Sequence, residues 1–182
     1  SIRDRLGANP LAMQIPIGLE ADFIGMVDLL EEKAVYYDDE TGVEPRIAEI
    51  PADLKEEAAH RRAELVERIA ELDDTLTEKF LEGQAISVDE LKAALREGVL
   101  GMRVTPVFCG TSLRNKGVQL VLDAVVDYLP SPLDVPPVTG TLLRDDSQVQ
   151  RKPDNSEPLS ALVFKIVTDP YEGRLAYLRV YS

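Results

Sequence analysis

One cysteine and one histidine are all that this chain of 182 residues has of the two side chains most often recruited for covalent and acid–base chemistry. A lone Cys109 excludes an intrachain disulfide, and a reducing compartment fits. Its place at the end of an apolar run reads as a small buried hydrophobe rather than a reactive thiol. His60 stands among charged neighbours, with no serine, cysteine or metal-ligand set around it, so the sequence gives it no catalytic role. Basic residues are also scarce, 20 Lys and Arg against 33 Asp and Glu, for a net charge of −13. That balance argues against a nucleic-acid-binding module and suits a protein partner or simple solubility. No apolar run approaches the ~20 residues of a membrane helix. Residues 1–9 carry no signal-peptide core, so no membrane association and a cytoplasmic location are expected. Also missing is any Gly-x-x-x-x-Gly-Lys-Ser/Thr loop, the element that would cradle phosphates and set a lysine and a Mg²⁺-binding hydroxyl beside them.

What is present is ordinary globular composition, 45% hydrophobic, and one stretch around which the rest is arranged, Val99 to Pro137. Thr105 to Cys109 is β-branched and aromatic and reads as a buried strand ending at Gly110. From Gly117 to Leu129, apolar residues at Val118, Leu122, Val125 and Leu129 keep the spacing of a helix with one buried face. Leu120, Val121, Ala124 and Val126 widen that face, which predicts packing against a sheet. Pro130 and Pro132 end the helix, since proline has no N–H to continue it. The unit is strand, tight loop, helix, stop. Ligands in α/β sheets bind at the carboxyl ends of strands, so the loop from Gly110 to Lys116 is the first candidate site. Gly110 allows close backbone approach, and Thr111 and Ser112 offer small side chains and free N–H groups. A backbone N–H can donate to guanine O6 and cannot accept from the amino group of adenine. Gly-Thr-Ser by itself reads as plain turn chemistry.

Before this stretch, residues 1–6 read as the last turns of a helix stopped by Gly7. Met13, Ile15 and Ile17 alternate with Gln14 and Pro16 in an extended pattern, and Phe23 to Leu30 is a second apolar run. Ala34 to Tyr37 and Val43 to Ile50 form the arms of a hairpin about the acidic tip Asp38-Asp39-Glu40-Thr41-Gly42, which reads as a solvated turn. Pro51 opens a helical region. Ala58, Leu65, Ile69, Leu72 and Leu76 keep helical spacing, with a break predicted at Asp73-Asp74 and a stop at Gly83. Ser87-Val88-Asp89-Glu90 is a capping box, after which Leu91, Leu95 and Val99 face inward. Residues 53–97 carry 13 acidic and 7 basic residues, a net of −6, either a solvated helical face or a docking face. After Pro137, Val138 to Leu143, Leu159 to Val167 and Leu175 to Tyr181 read as strands, with 144–157 a polar loop and Thr168-Asp169-Pro170 a turn. Three strands without closure leave open edges, which natural domains rarely tolerate.

The run TPVFCGTSLRNKGVQLVLDAVVDYLPSPLDVPP resembles the end of the GTPase domain in the translation elongation factor G family. There the fifth guanine-nucleotide motif usually reads Gly-Ser-Ala-Leu/Phe-Lys-Asn-Lys-Gly-Val-Gln. Here it stands as Gly110-Thr111-Ser112-Leu113-Arg114-Asn115-Lys116-Gly117-Val118-Gln119, with Thr111, Ser112 and Arg114 as departures that keep the backbone donors. IRDRLGAN, QIPIG, FKIVTDPYEGRL and RVYS extend the likeness in order along essentially the whole chain.

The resemblance implies an α/β piece of a P-loop GTPase domain with an inserted α+β subdomain, followed by the first strands of a β-barrel. The corresponding boundaries are 1–7 for the end of a GTPase-domain helix and 8–102 for the insert. Residues 103–137 would be the last strand, the fifth guanine loop and the final helix, and 138–182 the truncated barrel. It implies a parent GTPase that binds GTP or GDP with Mg²⁺, acts on the ribosome in a cytoplasmic setting and moves tRNA and mRNA through domains absent here. The acidic helices of the insert would contact the large-subunit stalk protein, and a monomer is expected. Site residues carried over are Gly110, Thr111, Ser112 and Leu113, with the Ser112 N–H as donor to guanine O6; no catalytic residue and no metal ligand is assigned. Asp39-Glu40-Thr41-Gly42 and Asn115-Lys116-Gly117-Val118 mimic other guanine-nucleotide motifs. The first lacks a phosphate loop before it, and the second has Val118 where a carboxylate must accept from guanine. Without positioned cations and a positioned water, the chain alone is not expected to hydrolyse GTP. A paralogous ribosomal GTPase of recycling, tetracycline protection or termination, or a non-catalytic ribosome-binding adaptor, remain the alternatives.

Overall fold

The computed structural model describes residues 2–39, 41–142 and 144–182. Ser1, Glu40 of the acidic tip and Leu143 of the strand expected over 138–143 lie outside the described residues. The chain is a mixed α/β structure in two units, one through Leu129 and one from Pro130.

In the first unit, α1 (Ile2–Leu6) stops at Gly7, which takes φ +61° and whose N–H donates to the Arg3 carbonyl at 3.1 Å. β1 (Pro10–Ala12) then pairs in parallel with β6 (Thr105–Val107), Leu11 opposite Pro106. Everything between these strands is an excursion from that pair. It begins as an antiparallel sheet in the order β2 (Gln14–Ile17), β3 (Gly25–Asp28), β4 (Lys33–Tyr36), β5 (Arg46–Ala48). Met13 links the two sheets: its N–H donates to the Val107 carbonyl at 3.0 Å and its carbonyl accepts from the Leu29 N–H at 3.1 Å. The expected β4–β5 hairpin is there, its second arm shortened to start after Pro45, which has no N–H for the ladder.

The helices begin one turn after Pro51, whose carbonyl first accepts the Leu54 N–H at 3.0 Å. α2 (Lys55–Ala70) buries Ala58, Leu65 and Ile69. The break expected at Asp73-Asp74 is a cap: the Asp73 carboxylate accepts the Leu76 N–H at 2.9 Å and starts α3 (Asp74–Leu81). α4 (Val88–Leu100) carries both bonds of the predicted capping box, Glu90 N–H to Ser87 Oγ and Ser87 N–H to the Glu90 carboxylate. These helices close a core over β1 and β3 in which Leu11, Val27, Leu65, Ile69, Leu91 and Leu95 are buried. Each such side chain contributes roughly 1.5–3 kcal/mol of apolar transfer.

Three expectations for this unit need correction. The strand predicted over 105–109 ends at Val107 and is not buried: Thr105 is exposed and Pro106 to Cys109 are half-buried, because β6 has a single described partner, β1. The Thr111 N–H, expected to be free, donates to the Lys116 carbonyl at 2.9 Å. In α5 (Val118–Tyr128) the inward stripe is Leu120, Ala124 and Tyr128, whereas Leu122, Val125 and Leu129 are about half exposed, 59%, 44% and 50%. A helix apolar on most sides cannot declare its face by periodicity; here the inward side is the one on which Leu120 packs against Phe23, Met26, Val35 and Tyr37.

The second unit contains two hairpins. β7 (Val138–Thr141) pairs antiparallel with β8 (Gln148–Arg151), a strand inside the stretch expected to be a polar loop. β8 has one apolar residue, so only its ladder identifies it. β9 (Ala161–Asp169) pairs with β10 (Gly173–Val180) with an irregularity between Tyr177 and Leu178. The strand therefore runs through Thr168 and Asp169, and the turn falls at 170–172, where the Asp169 carboxylate accepts the Tyr171 and Glu172 N–H groups.

Candidate functional site

The loop at the carboxyl end of β6 is closed on itself. Thr111 and Lys116 exchange backbone bonds, Thr111 N–H to Lys116 O at 2.9 Å and Lys116 N–H to Thr111 O at 3.1 Å. Between them Ser112–Arg114 form one 3₁₀ turn and Asn115 takes the left-handed conformation, φ 54°. Gly110 is required at the neck, because a Cβ there would lie 2.7 Å from the Lys116 carbonyl. Arg114 and Asn115 N–H groups are spent on the Thr111 and Ser112 carbonyls. The Ser112 and Leu113 N–H groups, at the start of the 3₁₀ turn, make no hydrogen bond among the described residues. They are the orphan donors that a helical start always leaves. Leu113 is 96% exposed.

All four candidate residues, Gly110, Thr111, Ser112 and Leu113, thus lie on this one loop. Of the two look-alike motifs, the one from Asn115 forms the closing end of this loop and the one from Asp39 falls beside it, and both act as structure. Asp39 closes the hairpin tip by accepting from the Thr41 hydroxyl and from the Thr41 and Gly42 N–H groups, the last at 2.6 Å, and this holds its carboxyl below the usual range. The hairpin tip touches the loop: a Cβ on Gly42 would come within 2.5 Å of the Arg114 carbonyl. Asp38, Asp39, Arg114 and Lys116 line a cavity of about 370 Å³ between them. Asp38 is held ionised mainly by Arg46, whose guanidinium also sits 4.7 Å from the centre of the Tyr36 ring. Cys109 is half-buried, and burial pushes its thiol up to about 11, which keeps it protonated and unreactive. His60 is an exposed partner of Glu64 one turn along α2, at 3.4 Å.

The residues that sequence reasoning missed are those that hold the loop. Lys116 is buried, with its ammonium donating to the Tyr37 carbonyl at 3.2 Å. Gln119 Nε2 donates to the Gly42 carbonyl at 2.7 Å, and Asn115 Nδ2 to the same oxygen at 3.3 Å. Tyr37 Oη donates to Gln119 Oε1 at 3.3 Å, and burial raises that phenol above its ordinary value. The Cys109 N–H, one residue before the neck, donates to Gln14 Oε1 at 3.1 Å. These partners lie some 70 to 95 residues away in sequence, and no local pattern announces them.

A parallel strand pair, a glycine-led loop with two free donors at the carboxyl end of one strand, and a helix behind it make an α/β unit of the kind that holds ligands at strand ends. Comparison with known proteins narrows this. Over 178 residues, 98% of its length, the chain is 53% identical to elongation factor G of Thermotoga neapolitana. It spans only 26% of that relative. A crystal structure of a protein from Thermus thermophilus superposes with a TM-score of 0.73 at 31% identity, covering 99% of this chain and 24% of that one. No protein-family profile matches. The chain is similar to elongation factor G along essentially its whole length. Among the described residues, no helix is long and apolar enough to cross a membrane.

Proposed function

We propose that this chain is part of a translational GTPase of the elongation factor G kind, whose whole protein binds GTP on the ribosome and couples its hydrolysis to movement of tRNA and mRNA in the cytoplasm. The observation that carries the reading is 53% identity to elongation factor G across 98% of the chain. In this reading residues 1–7 end a GTPase-domain helix, 8–102 form an inserted subdomain and 103–137 complete the GTPase domain. Residues 138–182 open a β-barrel.

Gly110, Thr111, Ser112 and Leu113 form the wall that meets the guanine base. The donor chemistry fits: two N–H groups without protein acceptors sit beside a glycine neck that allows close approach. A base oxygen placed 2.7–3.1 Å from Ser112 N–H is accepted, while an adenine amino group presents donor to donor and is refused. The bound nucleotide supplies the phosphoanhydride to be hydrolysed. The phosphate cradle, the Mg²⁺ ligands and the catalytic groups belong to parts of the protein outside these 182 residues, so the chain alone binds nucleotide too weakly to turn it over.

Calorimetric titration of GDP and ATP into this chain and into a full-length protein that contains it tests the reading. Binding of GDP by the full-length protein alone, with ATP ignored by both, is expected. Measurable GDP binding by the 182-residue chain would mean that a different site exists and would reopen the reading of a non-catalytic adaptor.

The exposed carboxylates Glu64 and Glu67 on α2 and Glu71 at its C-terminal cap form the docking face for the basic surface of a stalk protein of the large subunit. Charge reversal at these three positions is expected to abolish stalk binding in titration; unchanged binding would remove this contact from the proposal.

A further inference from the structure

We infer that Gln14, Lys116 and Gln119 are positioning residues that fasten the 110–117 loop to the antiparallel sheet, so that the direction of the Ser112 and Leu113 N–H groups is set by the 14–42 segment. The inference rests on the proposed function for what those donors meet, and on geometry alone for the fastening. The loop's flanking elements do not hold it by themselves: β6 ends at Val107 and has one described partner strand. The bonds that fix it run to β2 and to the β4–β5 hairpin. Gln14 Oε1 takes the Cys109 N–H at 3.1 Å ahead of the neck, and Lys116 Nζ reaches the Tyr37 carbonyl at 3.2 Å behind it. Gln119 bridges Tyr37 Oη and the Gly42 carbonyl from the first turn of α5.

Lys116 is the informative member. An ammonium is costly to bury, and a lysine serving only solubility would point outward. This one is 8% exposed and donates to a backbone carbonyl, which ties the closing residue of the loop to the hairpin. Gly42 completes the fit, since its missing Cβ lets the hairpin tip lie against the Arg114 and Asn115 backbone. A hairpin fastened in this way turns any displacement of the antiparallel sheet into a displacement of the two donors.

The test uses Lys116→Met and Gln119→Met, which keep side-chain length and remove the donor. In the present chain, exchange of the backbone amides at positions 111 and 116 is expected to accelerate about tenfold in either variant, the loss of one bridging hydrogen bond, with Leu76 and Leu91 amides unchanged. In a full-length protein containing the chain, GDP affinity is expected to fall about tenfold, with ADP still rejected. Wild-type exchange at positions 111 and 116 would overturn the positioning role. Faster exchange with GDP affinity unchanged would uphold the fastening and overturn the guanine-contact reading instead. If Lys116→Met unfolds the chain, Gln119→Met carries the test, since it strips no buried charge.

Discussion

Within these 182 residues the two units bury their apolar side chains to different degrees. Every buried hydrophobic side chain among the described residues lies at or before Tyr128. The second unit has none, although Leu162, Val163, Phe164, Ile166, Tyr177 and Leu178 are as apolar as anything in the first. Its strands exist through their ladders, nine residues in β9 and eight in β10, each exposing most of its length. The contrast separates two things that sequence patterning runs together: the backbone pairing that makes a strand, and the packing that makes a core. The most direct attempt to break it is a matched pair of truncations. Leu65→Ala, at 2% exposure, is expected to cost about 3 kcal/mol of stability. Leu162→Ala, at 56% exposure, is expected to cost no more than about 0.5 kcal/mol. Urea unfolding followed at amides of each unit measures both, and equal costs would show that β9 has a packed face after all.

Two glycines with the same backbone sharpen the contrast further. Gly117 and Gly173 have φ of 84° and 77°, both left-handed. A Cβ on Gly173 meets nothing, while one on Gly117 falls 2.8 Å from the Cys109 carbonyl and 2.9 Å from Met26 Cε. Gly173→Ala should therefore cost only the conformational term, about 1 kcal/mol. Gly117→Ala adds displacement of the loop neck and should cost about 2–3 kcal/mol, with faster exchange at the Thr111 amide. Equal penalties at the two positions would mean that the loop is less closely held than its distances indicate.

Helix ends, turns and stops were legible in the sequence because each depends on residues a few positions apart. Gly7, Asp73, Gly83 and the Ser87–Glu90 box all terminate or start helices where the pattern places them. The hairpin about 38–42 was legible for the same reason. What was not legible is set by distant partners. The rotation of α5 depends on which side meets Leu120's neighbours, and its composition is apolar on nearly every side. β8 has a polar sequence and is defined only by pairing with β7. The candidate loop itself could be read from Gly110 to Leu113 as a glycine-led turn, since a turn follows from local chemistry; its 3₁₀ start was seen only in the structure. Its fastening could not, because Gln14, Tyr37 and Gly42 reach it across the fold.

Caps allow a finer comparison within the first unit. Removing the Asp73 carboxylate frees the Leu76 N–H, and Asp73→Ala is expected to cost about 1 kcal/mol, read as a lower urea midpoint for the helical amides. Smaller still, and distinguished by its pH dependence, is the contribution of Glu90. Its carboxylate accepts from Lys79 and from the Ser87 N–H and hydroxyl, and these bonds, Lys79 foremost, lower its pKa from 4.5 to about 2. A carboxylate with a depressed folded-state pKa stabilises the fold above its unfolded value and loses that contribution as pH falls through the folded one. The gap in melting temperature between the wild type and Glu90→Gln is therefore expected to be constant from pH 7 to about 5 and to close between about 4.5 and 2. The second unit provides a control at the Asp154 turn, where the Ser156 N–H and hydroxyl, with a smaller contribution from the charge of Lys152, hold an exposed carboxylate below its usual range. Asp154→Asn should leave the melting of the first unit's core unchanged at every pH. A Glu90→Gln gap that persisted to pH 2 would show that the capping box acts through the geometry of its neutral hydrogen bonds, and that the Lys79 ion pair adds nothing to the helix start.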